Sequence, residues 1–449
     1  MPTNQETQGS PSAHETMLAD TDMSDVIKGD LNQLYFDRVH SVIPIIHQGR
    51  YLSWSRQDHL DESDSHGCLQ LAMWALAASA SAHLQNMRES LYTLARSRLE
   101  ALDESEDLVG SATLEQAQAW LLLTHYEFRY MHFRRAWITA GRAFRIIQLF
   151  KLHEVERFTD PDLSMTSPEV WVEMEERRRT FWVCTRLPAP ELNFQHSRPV
   201  LGVFLSESMN SSDEMILAPL AEVVIIITLA WRTLSLKRRF PTDHFEGIEG
   251  PAERWTRYSW FYEMIQRRRA LLSIPSSSAE LFDHMRLFTN LLVNAAVIWI
   301  HEAMEDQGQT ECTSLMNEQM LLEPLKAVCE IASLTKPLTQ SSFFKAHIFA
   351  PMMIYIAAKF LRIHAAQITC TGTGGPLLTT EITTEKLEDL TKALQVLQNG
   401  NNLAMNYLEF VESDCFEKLS LSGTTQAVFL HGELDESEDL SFMNVLHTF

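Results

Sequence analysis

An all-α protein of many helices is the fold class this sequence predicts, and three observations predict it. Apolar residues recur at 3.6-residue spacing along most of the chain, the mark of helices that bury one face. Sustained alternation of apolar and polar residues, the mark of half-buried strands, is absent. At 449 residues, 45% of them hydrophobic, the chain can bury a large core for those helices to pack on.

The elements follow in order. Residues 1–30 have few large apolar side chains and one basic residue, Lys28, so a disordered, polar and acidic lead is expected. Order is expected from Leu31, in "LNQLYFDRVHSVIPIIHQGRYLSW". "CLQLAMWALAASASAHL" (68–84) is rich in alanine and leucine, strong helix formers. "SATLEQAQAWLLLTHYEF" opens on a capping-box pair, Thr113 and Gln116, and sets Leu114, Ala117 and Leu121 along one face. "FRRAWITAGRAFRIIQLF" (133–150) is the clearest amphipathic helix. Phe133, Ala136, Trp137, Ala140, Phe144 and Ile147 fall on one side, and Arg134, Arg135, Arg142 and Arg145 on the other.

Further helices are predicted over 220–238, 251–273, 283–305, 317–334, 343–366 and 384–412. "TCTGTGGP" (369–376) is the most flexible interior stretch. No composition break divides the helices, so residues 31–418 read as one helical domain. Residues 419–449 hold no lysine or arginine, and the ending mixes acids with Leu440, Phe442, Met443, Val445, Leu446 and Phe449. Such a tail suits an activation segment that folds on a partner; a solvated tail or a final docked helix is the plainer alternative.

The formal net charge of −22 argues against non-specific nucleic-acid binding by the bulk surface. The polar N-terminus is no secretory signal. The apolar runs Val223 to Trp231 and Ala346 to Ala358 are shorter than the ~20 residues that cross a bilayer, so they read as buried helices and no membrane association is expected. Six cysteines (68, 184, 312, 329, 370 and 415) lie too far apart for C-x₂₋₄-C zinc pairs and read as reduced thiols.

Catalytic motifs are missing: no G-x-S-x-G, no Walker loop, no H-E-x-x-H. "HEAME" at His301 reads as the polar end of a core helix, and "GTGG" (372–375), followed by Pro376, as a loop. Pro44 breaks any helix face shared by His40 and His47. No catalytic, cofactor-binding or metal-binding residue is assigned, and no cofactor is expected.

Three basic runs remain. In "EERRRTFW" (175–182), Glu175 precedes Arg179 by four residues, and Glu173 precedes Arg177 by four, the favourable order for ion pairs within a helix. The arginines 177–179 are therefore expected to be matched by their own helix. "LKRRF" (236–240) and "QRRRA" (266–270) are less neutralised and carry a weak nuclear-import signal. The arginine stripe of 133–150 reads as a solvated face that pairs with acidic neighbours, with contact to phosphate as the alternative.

Taken together, these segments resemble the fungal-specific transcription factor domain, the regulatory domain of zinc-binuclear-cluster transcription factors. "YFDRVHSVIPIIHQGRYL", "LYTLARSRLE", "TLEQAQAWLLLTHYEF", "RAWITAGRAFRIIQLFKLH" and "EERRRTFW" follow in that family's order and approximate spacing. The likeness runs from about Leu31 to about Asp414. "RLPAPELNFQHSRPVLGVFLSESM" (186–209), "APLAEVVIIITLAWRTLSL" (218–236) and "LTQSSFFKAHIFAPMMIYIAAKFL" (338–361) resemble the subgroup of secondary-metabolite cluster regulators, especially for aromatic polyketides.

Two departures stand out. The family's N-terminal DNA-binding module holds six cysteines in tight C-x₂-C-x₆-C pairs around two zincs; that pattern is not found here, and the module reads as absent. After "FWVC" the family continues its helix, whereas Arg186-Leu187-Pro188 follows Cys184 almost at once, as though a helical segment were deleted or an exon wrongly removed. The resemblance implies a non-enzymatic, nuclear regulator of a fungal secondary-metabolite gene cluster. It would act as a co-regulator, beside a DNA-binding transcription factor partner and the transcription machinery, as a monomer or a homo- or hetero-oligomer, with weak or no DNA binding alone. The alternative is a ligand-sensing helical protein, or an enzyme, with a pocket between core helices.

Overall fold

Two neighbouring hydrophobic cores, each wrapped by seven helices among the described residues, organise the structure. The structure is a computed structural model and describes residues 23–55, 65–104, 113–152, 168–185, 219–238, 251–272, 284–308, 314–339, 346–371 and 380–412. Among them every regular element is helical. The expected 419–449 tail and the junction at 186–188 lie outside these residues.

The first core is enclosed by α1 (Asp25–Leu34), α2 (Gln48–Ser55), α3 (Ser65–Ser79), α4 (Arg88–Glu104), α5 (Leu114–Arg129), α6 (Phe133–Leu149) and α7 (Pro168–Thr185). The second is enclosed by α8 (Pro219–Arg238), α9 (Pro251–Leu272), α10 (His284–Gly308), α11 (Ser314–Thr335), α12 (Ala350–Thr371), α13 (Thr380–Leu397) and α14 (Asn402–Glu412). Composition marked no such division, because both halves are equally apolar and helical.

Local chemistry explains the elements. α3 is buried on nearly every side, and its alanines let α4 and α5 approach closely. α5 starts where the cap was expected: the Thr113 hydroxyl accepts the Gln116 N–H at 3.2 Å. The return arm of the capping box does not form: Gln116 Nε2 donates to Asp103 Oδ1 at 2.7 Å, and its Oε1 accepts no hydrogen bond. α5 ends in a Schellman motif. His132 N–H reaches Glu127 O at 2.9 Å and Met131 N–H reaches Phe128 O at 3.1 Å, with Met131 left-handed at φ 62°.

Several elements differ from the sequence reading, among them the helix expected over 343–366, which runs Ala350–Thr371. The first described helix already starts at Asp25, ahead of Leu31, and Ile27 and Leu31 dock on the first core. A π turn, Tyr35–Val39, follows α1 directly and turns Tyr35 fully inward. The helix expected over 384–412 is two helices, broken at Asn399-Gly400-Asn401, where Gly400 closes the end of α13.

Several contacts join the cores, Phe133 of α6 packing against both. Ile348, in the approach to α12, is buried in the first core. Its neighbour Phe349 packs against both cores and meets Phe128 edge-on at 5.6 Å. From the other direction Arg129, buried at the end of α5, donates to Gly400 O from Nε at 2.9 Å and from Nη2 at 2.5 Å. Asn401 Nδ2 donates to Ile348 O at 2.8 Å.

Candidate functional site

The motifs quoted above converge on one place, where α7 crosses the loop leading into α2 and the start of α5. Glu173, Glu175 and the three arginines behave as the spacing predicted. Arg177 meets Glu173 at 2.6 Å, Arg179 meets Glu175 at 2.8 Å, and Arg178 also reaches Glu175 at 2.6 Å. All three arginines are held by carboxylates of their own helix.

Glu176 is the exception, and no spacing rule marked it. It points inward, accepts His47 N–H at 2.6 Å, and pairs with Arg50 at 2.5 Å. Arg50 also reaches Glu115 at 3.6 Å, and His66 lies 4.0 Å from the same carboxylate. One turn on, the Gln118 amide donates to Ile45 O at 2.8 Å and Thr180 Oγ1 at 3.3 Å. The "PIIHQGR", "TLEQAQ" and "ERRRT" stretches are thus tied into one polar clasp. Burial raises the Glu176 carboxyl's pKa, opposed by His47 N–H and Arg50. His40 lies close by, its pKa pushed down to about 4 by burial and then by Arg179 and His47. Pro44 lies between His40 and His47, and the two do not share a helix.

A second cluster sits behind it. Glu127 is completely buried and accepts Tyr92 OH at 2.7 Å and Arg96 Nη1 at 2.5 Å. Burial raises its pKa; Tyr92 and Arg96 oppose the rise. Gln116, Gln118, Thr124, His125, Glu127 and Arg129 all lie on α5, and all are buried. Sequence periodicity could not reveal this, since a polar residue partnered inside the protein looks like one facing water.

The remaining basic runs are partly absorbed. Arg268 is buried against Glu222 at 3.2 Å, and Arg269 meets Glu323 at 3.1 Å, leaving Arg267 as the exposed member of "QRRRA". Two arginines of that run thus join helices. The side chains of "LKRRF" lie outside those described. On α6, Arg142 reaches Glu100 at 3.3 Å and covers the Trp120 ring at 5.0 Å, so it is not part of a free stripe.

His301 is buried near Phe360 and His364, and burial followed by His364 lowers its pKa to about 4. Cys68 and Cys184 are buried, and Cys329 is half-buried; burial pushes the Cys184 thiol's pKa up. Cys312, Cys370, Cys415 and the "GTGG" loop fall outside the described side chains. Among the described residues no three of His, Cys, Asp or Glu converge as metal ligands. An open groove of about 440 Å³ between α1 and α2 is lined by Gly29, Asn32, Gln33, Phe36, Asp37, Gln48 and Leu52. It is a surface trough and not an interior chamber between core helices. No helix among the described residues is long and apolar enough to cross a membrane.

Comparison with known proteins bears on this arrangement. The family model described as the fungal specific transcription factor domain matches residues 33–184, which spans most of the first core and all three stretches of the clasp. Likeness to whole proteins extends much further. A pigment biosynthesis transcriptional activator of Monascus ruber is 36% identical over 89% of this chain and 74% of its own length. A citrinin biosynthesis transcriptional activator of Monascus purpureus is 32% identical over 88% of this chain and 69% of its own. An asperfuranone cluster transcription factor of Emericella nidulans is 31% identical over 86% and 65%.

Proposed function

This chain belongs to the fungal-specific transcription factor domain family, and we propose from that premise that it governs a secondary-metabolite gene cluster from the nucleus through protein contacts. The observation that carries the reading is the near-full-length likeness to cluster activators, covering both cores. The body made by the two cores is a scaffold and docking surface. Its arginines are spent largely on its own carboxylates, which leaves little cationic surface for phosphate.

Sequence-selective contact with DNA is therefore assigned to a DNA-binding partner, with these 449 residues acting as co-regulator. The acidic-hydrophobic tail, 419–449, supplies a contact for the transcription machinery. The chain does no chemistry of its own in this reading.

Deleting the gene, then counting transcripts and profiling metabolites, tests the proposal. Loss of transcripts from one biosynthetic cluster is the expected result; an unchanged transcriptome refutes it. A gel-shift assay with these 449 residues at physiological salt should show weak binding without sequence preference. Tight, selective binding overturns the co-regulator role.

A further inference from the structure

Among the described residues, one face of α6 sets exposed apolar side chains beside arginines that the clasp, the Glu127 cluster and the seam do not engage. Along α6, residues 134, 138, 141, 145 and 149 fall on one stripe by the i, i+4, i+7, i+11, i+15 rule. Ile138 is 45% exposed and Leu149 is 66% exposed. Gly141 between them has open space where a side chain would stand. Arg134 and Arg145 are exposed on the same stripe, and neither meets a carboxylate among the described residues. Elsewhere most described arginines are engaged by a carboxylate, a carbonyl or an aromatic ring. In a chain of net charge −22, two unengaged arginines alternating with two exposed aliphatic residues make a cationic, apolar track about 22 Å long from Arg134 to Leu149.

We infer that this face of α6 is the docking site of the chain's own C-terminal segment, residues 432–449. Complementarity of charge and pattern argues for that occupant. The segment holds five carboxylates (Glu433, Asp435, Glu436, Glu438 and Asp439) and no lysine or arginine. Phe442, Val445, Leu446 and Phe449 follow at i, i+3, i+4, i+7, one apolar face if the segment coils into a helix on its partner. The chain between Glu412 and Gly432 can extend up to roughly 60 Å. That is ample against a radius of gyration of about 22 Å for a folded body of this length. Docked there, the segment's apolar residues are withheld from any other partner, which makes α6 a silencing surface. The contact does not depend on whether the segment activates transcription.

Cross-linking within the full chain tests it without any transcriptional readout. A photo-cross-linking residue replaces the exposed Gln148, beside the stripe, and the products are mapped by mass spectrometry. Cross-links should land within 432–449, and raising salt from about 0.05 to 0.5 M should reduce them, since the attraction is between exposed charges. Arg134→Glu with Arg145→Glu should lower the yield at least tenfold while leaving the melting temperature unchanged. Adding Asp435→Lys, Glu438→Lys and Asp439→Lys to that variant should restore it. Cross-links that fall elsewhere, that join two copies, or that ignore the charge reversal overturn the inference.

Discussion

Glu176 and Glu175 are neighbours in sequence and differ in what their removal should cost. Glu175 pairs with Arg178 and Arg179 at the surface, where ion pairs contribute about 0–1 kcal/mol. Glu176 is buried and leaves a backbone N–H and the Arg50 guanidinium without their acceptor when removed. Glu176→Ala should therefore destabilise by about 2–3 kcal/mol, and Glu175→Ala by less than about 1. Urea unfolding midpoints at unchanged slope measure both; equal effects would show that the clasp does not hold α7. His301 gives a residue-scale test in pH. Its folded-state pKa lies below the ordinary value, so its neutral form stabilises the fold above about 6.5 and that stability is lost as pH falls towards about 4. Glu127 and Glu176 act in the opposite sense, because raised carboxyl pKa values favour the fold at lower pH. The informative quantity is the difference between proteins. His301→Leu should lose less stability than the parent between pH 6.5 and 4, by melting curves at each pH.

Helix ends show what the sequence could and could not reveal. Amphipathic α6 was legible to within a residue because Phe133, Ala136, Phe144 and Ile147 repeat against a basic face. The Thr113 cap was legible because a hydroxyl before an apolar run has one common use. The break at 399–401 was also signalled, by a glycine flanked by asparagines, but the long apolar pattern on either side masked it. The buried polar residues of α5 carried no signal, since partners such as Arg96 and Tyr92 come from another helix. The clasp shares that difficulty: Glu176 and Arg50 lie 126 positions apart. One helix end carries a prediction. Lys151, just past α6, is exposed and left-handed at φ 53°, a conformation costly for a residue with a Cβ. Lys151→Gly should stabilise by about 0.5–1 kcal/mol, read by the same urea titration. A loss of stability would mean that the lysine side chain makes a contact that outweighs its backbone strain.

At the scale of the whole molecule, the seam decides whether the two cores unfold together. Arg129 is a buried cation whose two bonds end on a single carbonyl across that seam, and burial lowers its pKa. Arg129→Met keeps volume and removes the donors, so it should cost about 1.5–3 kcal/mol. Calorimetry should also resolve two transitions in place of one. A single, unshifted transition would show that Phe349 and Ile348 suffice to couple the halves.

The placement of Ile348 also has a consequence in time. The ribosome delivers this chain from one end, and the first core cannot close when residue 184 emerges, because one of its wall residues is 164 positions further on. At about 5–20 residues per second the wait is roughly 8–33 s. Throughout it Phe128 and the end of α5 face the cytosol without Phe349 and Gly400 to cover them. Nascent chains halted before position 346 should bind holdase chaperones and be cut readily by protease, while chains halted with residues 346–412 clear of the exit tunnel should resist both.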